Sequence, residues 1–144
     1  MGADFRYLAD DAKVGQPEIL LGIIPGAGGT QRLSRIVGYQ RCKELCMTGR
    51  HVPASEALAM GLADKVASAD DLLGLAMTDA ARFAKGPTVA YGAVKQAVRD
   101  GYNATLAEGI AIETQAFATA FASQDARIGV NAFLDKEKPE FTGL

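Results

Sequence analysis

Nothing in the 144 residues offers a bilayer-spanning run: no apolar stretch reaches the ~18–20 residues a membrane helix needs. The opening Met1-Gly-Ala-Asp-Phe-Arg6 also lacks the charged-then-apolar order of a secretory leader, so the expected location is the cytoplasm. A surplus of positive charge is missing too. Fifteen Lys and Arg stand against 17 Asp and Glu, a net charge of -2 with both signs scattered. That leaves no basic face for nucleic acid and no polybasic tract for anionic lipid. Cysteine is scarce. Cys42 and Cys46 are four apart, neighbours on one helix face, with only His51 nearby, which is too few ligands for a metal; the pair reads as reduced, buried thiols. There is no Gly-Lys-Ser/Thr to build a P-loop. His51, expected in an exposed polar turn after Arg50, has no Ser-His-Asp or Cys-His set around it, and neither an internal repeat nor a low-complexity tract is visible.

What is present suits a soluble, globular chain: 49% hydrophobic and 22% charged residues, at a length that can bury roughly 68–70% of the unfolded surface. Two composition regimes meet near Ser68. Residues 1 to 67 are rich in Gly, Ile, Leu and Pro, with apolar runs at Phe5 to Ala9, Ile19 to Ile24 and Leu62 to Val66 short enough for buried strands, although periodicity alone does not separate them from helix ends. Between them a helix is expected from about Thr30 to Thr48, broken near Gly38 and ended by Gly49, with Cys42, Leu45 and Cys46 as its apolar stripe. A second opens at Pro53 and closes at Gly61.

Residues 68 to 144 are alanine-rich and read as helical. Leu72, Leu73, Ala76, Ala80 and Phe83 recur at helical spacing until Gly86-Pro87 stops the run. The next helix spans about Thr88 to Tyr102, with Val89, Ala93, Val94 and Ala97 on one face. Thr105-Leu-Ala-Glu108 matches a capping box, and Leu106, Ile110, Phe117 and Phe121 follow as an apolar stripe. Asp125 is the expected cap of the last helix, which ends before Pro139. These stripes want partners, in the missing space of a larger fold or on another subunit.

Two features carry potential chemistry. Gly26-Ala-Gly-Gly-Thr30 leads into a helical pattern, so it is either an oxyanion- or phosphate-binding loop or a tight strand-to-helix turn. As a dinucleotide fingerprint it fails, because Gln31 replaces the third glycine and Pro25 interrupts the strand that should precede it. Glu18 follows Pro17 and precedes an apolar run. It is either a solvated edge carboxylate or an acid–base group whose pKa is raised by Ile19, Leu20 and Ile24.

Asp4-Phe-Arg6, Asp11-Ala-Lys-Val-Gly-Gln-Pro-Glu18 and Gly22-Ile-Ile-Pro-Gly-Ala-Gly-Gly-Thr-Gln-Arg-Leu33 closely resemble the enoyl-CoA hydratase/isomerase family, the crotonase superfamily. Thr48-Gly-Arg50, Ala54-Ser-Glu-Ala-Leu-Ala-Met-Gly-Leu62 and Phe133-Leu-Asp-Lys-Glu-Lys-Pro-Glu-Phe141 continue the likeness in register. It covers nearly all of this chain but only the carboxyl-terminal portion of the family domain.

The resemblance implies an α/β fold. Residues 1 to 67 would be part of a crotonase-type (ClpP/crotonase) β-β-α spiral, and residues 68 to 144 a helical oligomerisation region, in a homo-oligomer that is a trimer or hexamer. It implies hydration of a trans-2-enoyl-CoA to the 3-hydroxyacyl-CoA in fatty-acid metabolism, with a coenzyme A thioester as substrate and no cofactor required. Glu18 falls on the second of two acid–base glutamates, and the Gly26 N–H on the loop position that helps seat the water. Phe117 and Lys136 fall on positions that, in family trimers, approach the CoA adenine and phosphate from a neighbouring subunit. The first glutamate and both oxyanion-hole N–H donors, worth about 3–4 kcal/mol each, belong to the part preceding Asp4. Activity of this chain alone is therefore doubtful, since such groups act as a unit. Two functions compete: a hydratase sequence that works with a complementing amino-terminal half, and a non-catalytic assembly or binding fragment. Another acyl-CoA reaction of the family, such as isomerisation, is the further alternative.

Overall fold

A computed structural model describes residues 1–144, which divide into two compact units, Met1–Met77 and Thr78–Leu144. In the first, β1 (Tyr7–Ala9) pairs in parallel with β4 (Lys65–Ala67), Leu8 opposite Val66. The strand β2 (Lys13–Gly15) pairs antiparallel with β3 (His51–Pro53), Val14 opposite Val52. Between these pairings run α1 (Gly29–Val37), α2 (Tyr39–Thr48) and α3 (Ala54–Ala59). The break expected near Gly38 is there, at a φ of 84° that side chains avoid, and Gly49 ends α2 at φ 64°.

The core sits where these elements meet. Leu33 and Val37 on α1, Cys42 and Leu45 on α2, Val52 on β3, and Ala57, Met60 and Ala63 around α3 form one buried cluster. Leu33, Leu45 and Val52 are buried almost completely. Each such aliphatic side chain contributes about 1.5–3 kcal/mol of burial.

Of the three apolar runs, Ile19 to Ile24 is not a strand. Pro17–Leu21 forms a 3-10 turn instead, closed by Gly22 at φ 74° with the Gly22 N–H donating to the Ile19 carbonyl. Proline suits a first helical turn and glycine its left-handed end, and those two residues outweigh the strand-like run between them. Leu20 and Ile24 are 71% and 73% exposed, so this segment is no buried strand.

From Ala69 the chain is helical: α4 (Ala69–Ala84), which runs from the first unit into the second, then α5 (Thr88–Gly101), α6 (Leu106–Phe121) and α7 (Gln124–Asp135). The helices α5 and α6 pack as an antiparallel hairpin. Their backbones come close at Gly101 and Gly109, where a Cβ on the first would lie 3.5 Å from the Cα of the second. The capping box is formed, with the Glu108 N–H donating to Thr105 Oγ1 at 3.3 Å and the Thr105 N–H to Glu108 Oε2 at 2.9 Å. The expected cap of the last helix is corrected: Ser123 caps α7 by accepting from the Ala126 N–H. Asp125 is buried and binds the chain end, accepting from the Thr142 N–H and hydroxyl and the Gly143 N–H at 2.7, 3.0 and 2.9 Å. A side chain with three donors converging on it is worth more there than at an exposed helix start. The α6 stripe of Leu106, Ile110, Phe117 and Phe121 is exposed along its length. No helix is long and apolar enough to cross a membrane.

Candidate active site

Glu18 is the second residue of the Pro17–Leu21 turn and is half-buried. Its Oε2 is buried with no hydrogen-bond donor from the chain. Such an atom is unusual in a folded protein and calls for an explanation, of which a catalytic role is one. The desolvation expected from Leu20 and Ile24 does not come from them, because both face solvent.

The turn is seated on the end of α2. A Cβ on Gly49 would lie 3.0 Å from Ile19 Cγ2, 3.2 Å from Leu20 Cγ and 3.4 Å from the Pro17 Cα, so only glycine lets the turn approach this closely. The α2 thiols lie close by. Cys46 is pushed up to about 11 by burial, by the hydrogen bond and charge of Cys42, and by the charge of Glu18. Both cysteines are free, their sulfurs 4.0 Å apart, and Cys42 Sγ donates to the Thr30 carbonyl at 3.4 Å.

The Gly26 loop is anchored to the same segment. Gly29, the first residue of α1, has no room for a side chain: a Cβ there would come within 2.7 Å of Gln16 Oε1 and 2.8 Å of Pro25 Cβ. Gln16 lies two residues before Glu18 and Pro25 one before Gly26, so one close contact ties both site segments to the start of α1. Ala27 and Gly28 take left-handed conformations at φ 48° and 81°, and the Gly26 carbonyl accepts from the Gly29 N–H at 2.8 Å. Gly26 itself is exposed with open space about it.

Beside these segments is a largely apolar cavity of about 160 Å³, lined by Leu8, Val14, Gln16, Leu33, Leu45 and Val52 among others. Arg6 also reaches it. Its N–H and guanidinium hold Asp64 at 2.6 and 3.1 Å, while Nε is buried without a partner. Sequence reading gave Arg6 no role, and the only signal was its place in the Asp4-Phe-Arg6 stretch.

In the second unit, Phe117 is 64% exposed and stacks on Phe121 with ring centroids 5.5 Å apart. Lys136 is an exposed residue just past α7, at φ 59°, its N–H bonded to the Phe133 carbonyl. No hydrogen bond or ring contact joins the two. His51 lies exposed in β3, and no group of three His, Cys, Asp or Glu side chains is arranged to hold a metal.

Comparison with solved structures identifies the fold. The enoyl-CoA hydratase of Bacillus anthracis superposes with a TM-score of 0.93 at 38% identity, over 99% of this chain and 55% of that one. The sequence profile of the Enoyl-CoA hydratase/isomerase family matches residues 1–144, and the chain belongs to that family. It is 42% identical over 142 residues to a protein of Mycobacterium bovis named probable enoyl-CoA hydratase, covering 99% of this chain and 55% of that protein. To the crotonyl-CoA hydratase of Syntrophomonas wolfei it is 41% identical over 141 residues, covering 98% and 54%. The chain thus spans about half the length of the curated relatives it matches.

Proposed function

We propose that this chain provides the carboxyl-terminal half of an enoyl-CoA hydratase, with Glu18 as one of two acid–base glutamates. Water adds at the β-carbon of a trans-2-enoyl-CoA, the double-bond electrons pass to the thioester oxygen, and the resulting enolate takes a proton at its α-carbon. Glu18 gives that proton, and the second glutamate, on the complementing half, takes one from the attacking water. The Gly26 N–H holds the water. Phe117 stacks on the adenine and Lys136 pairs with a phosphate of CoA bound to a neighbouring subunit; an exposed aromatic and an exposed ammonium suit those roles. The exposed α6 stripe supports a homo-oligomer.

One observation carries the reading: a family glutamate position is held on a glycine-seated turn with a carboxylate oxygen buried and unpartnered. A carboxylate oxygen with no hydrogen-bond donor from its own chain is free to exchange a proton with substrate. The test is hydration of crotonyl-CoA, followed by loss of its enoyl absorbance, with this chain alone and mixed with a family amino-terminal half. The mixture should turn over and the chain alone should not. Glu18→Gln should cost the mixture about 10²–10⁴-fold, the usual scale for a positioned general acid. Rapid turnover by the chain alone, or full activity of the Glu18→Gln mixture, would refute the reading. Assembly without turnover would favour the non-catalytic alternative.

A further inference from the structure

Thr48-Gly-Arg50 and Ala54-Ser-Glu56 take no part in the chemistry above, yet a network of ion pairs joins them. We infer that Arg50 is a positioning residue for Glu18, holding the 49–50 bend on which the Glu18 turn is seated; this rests on the catalytic role proposed for Glu18.

The guanidinium is gripped from two sides. On one, Arg50 Nε and Nη2 donate to Glu44 Oε1 and Oε2 of α2 at 2.7 and 3.1 Å. On the other, Nη1 and Nη2 donate to Glu56 Oε2 and Oε1 of α3 at 3.0 and 2.7 Å. Isolated surface ion pairs fix little, but a planar fork engaged by two carboxylates at once is the exception. The hydrogen bonds from Arg50 hold both carboxyls below their usual range, and the two carboxylates raise Arg50 in turn. Thr48 Oγ1 closes the bend by accepting from the Arg50 N–H at 3.3 Å.

The same backbone supports the site from beneath. Gly49 receives Pro17, Ile19 and Leu20, the residues on either side of Glu18. The Arg50 carbonyl packs on Gly15, where a Cβ would come within 3.0 Å. Arg50 therefore fixes the floor of both the strand end before Glu18 and the turn that carries it. It touches no reacting atom, and its effect passes through the backbone. Lysine, a point charge without the fork, can satisfy only part of this network.

Two measurements test the inference. The first is amide hydrogen exchange in this chain, read at Gly22 and Ile23, whose N–H groups donate to the Ile19 and Glu18 carbonyls at 3.0 and 3.3 Å. Arg50→Met should speed exchange there about tenfold while leaving the amides of α1 unchanged. The second is crotonyl-CoA hydration by the mixture with an amino-terminal half. Arg50→Met should lower kcat by about 100-fold, the scale of a ~1 Å misplacement, with KM held within about twofold, and Arg50→Lys should recover part of it. In the Glu18→Gln background the same change should cost nothing further, because Arg50 acts through Glu18. Unchanged exchange at Gly22 and Ile23, or an equal loss of kcat with and without Glu18, would overturn the inference. If the wild-type mixture is inactive the functional reading falls, and the exchange measurement alone still decides the clamp.

Discussion

Gly49 and Gly61 form a matched pair that separates a site effect from a folding effect. Both follow a helix in the first unit with positive φ, 64° and 76°. Alanine at either position takes on the left-handed strain of an L-residue, about 1–2 kcal/mol. Around Gly61 a Cβ meets open space, so that cost is the whole of it. At Gly49 the Cβ also meets Ile19 Cγ2 at 3.0 Å and Leu20 Cγ at 3.2 Å. Ile19 Cγ2 is bonded to Cβ and Leu20 Cγ is the branch atom, so relief takes a χ1 displacement costing a further ~0.5–1.5 kcal/mol together with a small outward shift of the turn. Pro17 Cα at 3.4 Å is in ordinary contact and adds nothing. Gly61→Ala should thus cost about 1–2 kcal/mol and Gly49→Ala about 1.5–3.5 kcal/mol. For a unit of this size each kcal/mol lowers Tm by roughly 4–8 °C, so calorimetry should see both, with Gly49→Ala the larger. Activity should separate them further. When the mixture is assayed below both melting points, Gly49→Ala should lower kcat by about 10–100-fold because it lifts the Glu18 turn, and Gly61→Ala should leave kcat unchanged. Equal Tm shifts with equal kcat would refute the claim that the turn is seated on Gly49.

Two further outcomes follow from groups whose titration is displaced. With Cys46 raised from the ordinary 9.0 to about 11, its thiolate fraction near pH 8 falls about 100-fold, partly offset by the greater nucleophilicity of a more basic thiolate, so iodoacetamide should label it at least about 10-fold more slowly in the folded chain than in denaturant. Rapid stoichiometric labelling of the folded chain at pH 8 would contradict that. Burial works to raise the Asp125 carboxyl, but the bonds from Thr142 and Gly143 outweigh it and hold the group below its usual range. A lowered folded pKa makes its stabilisation complete above the unfolded value of about 3.9 and lost as pH falls through the folded one. Asp125→Asn should flatten this acid limb of the Tm–pH curve, and an unchanged limb would show that the clamp on the chain end does not depend on charge.

The helices were legible from the sequence because their signals are local. Gly38, Gly49 and the Thr105–Glu108 box act within one turn of the chain, and each stands where its residue chemistry requires. Two features stand differently in the structure, one because distant partners claim it and one because residues within and beside it bend it. Asp125 has the residue type of a helix cap, but the donors that claim it are at Thr142 and Gly143, 17 and 18 residues on. The run Ile19 to Ile24 has the composition of a strand, but Pro17 and Gly22 bend it, and Leu20, Leu21, Ile23 and Ile24 are left exposed.

The candidate site divides along the same line. Glu18 and Gly26 can be picked out by motif register, since a pattern of residue types survives without coordinates. What holds them is not written in either motif. Gln16 and Pro25 meet at Gly29, the Glu18 turn rests on Gly49, and Arg50 ties α2 to α3 behind it. Each is a contact between segments separated along the chain, which the local role of the glycine or arginine, such as the helix end at Gly49, does not reveal. The Thr48-Gly-Arg50 stretch shows the consequence. Read alone it is a helix end followed by a solvated charge, and only when Glu44 and Glu56 are seen on opposite sides of the guanidinium does it become a support for a carboxylate more than thirty residues earlier. In the proposed role Glu18 needs its backbone fixed before its chemistry matters, so the residues that fix it belong to the proposed site as much as Glu18 does.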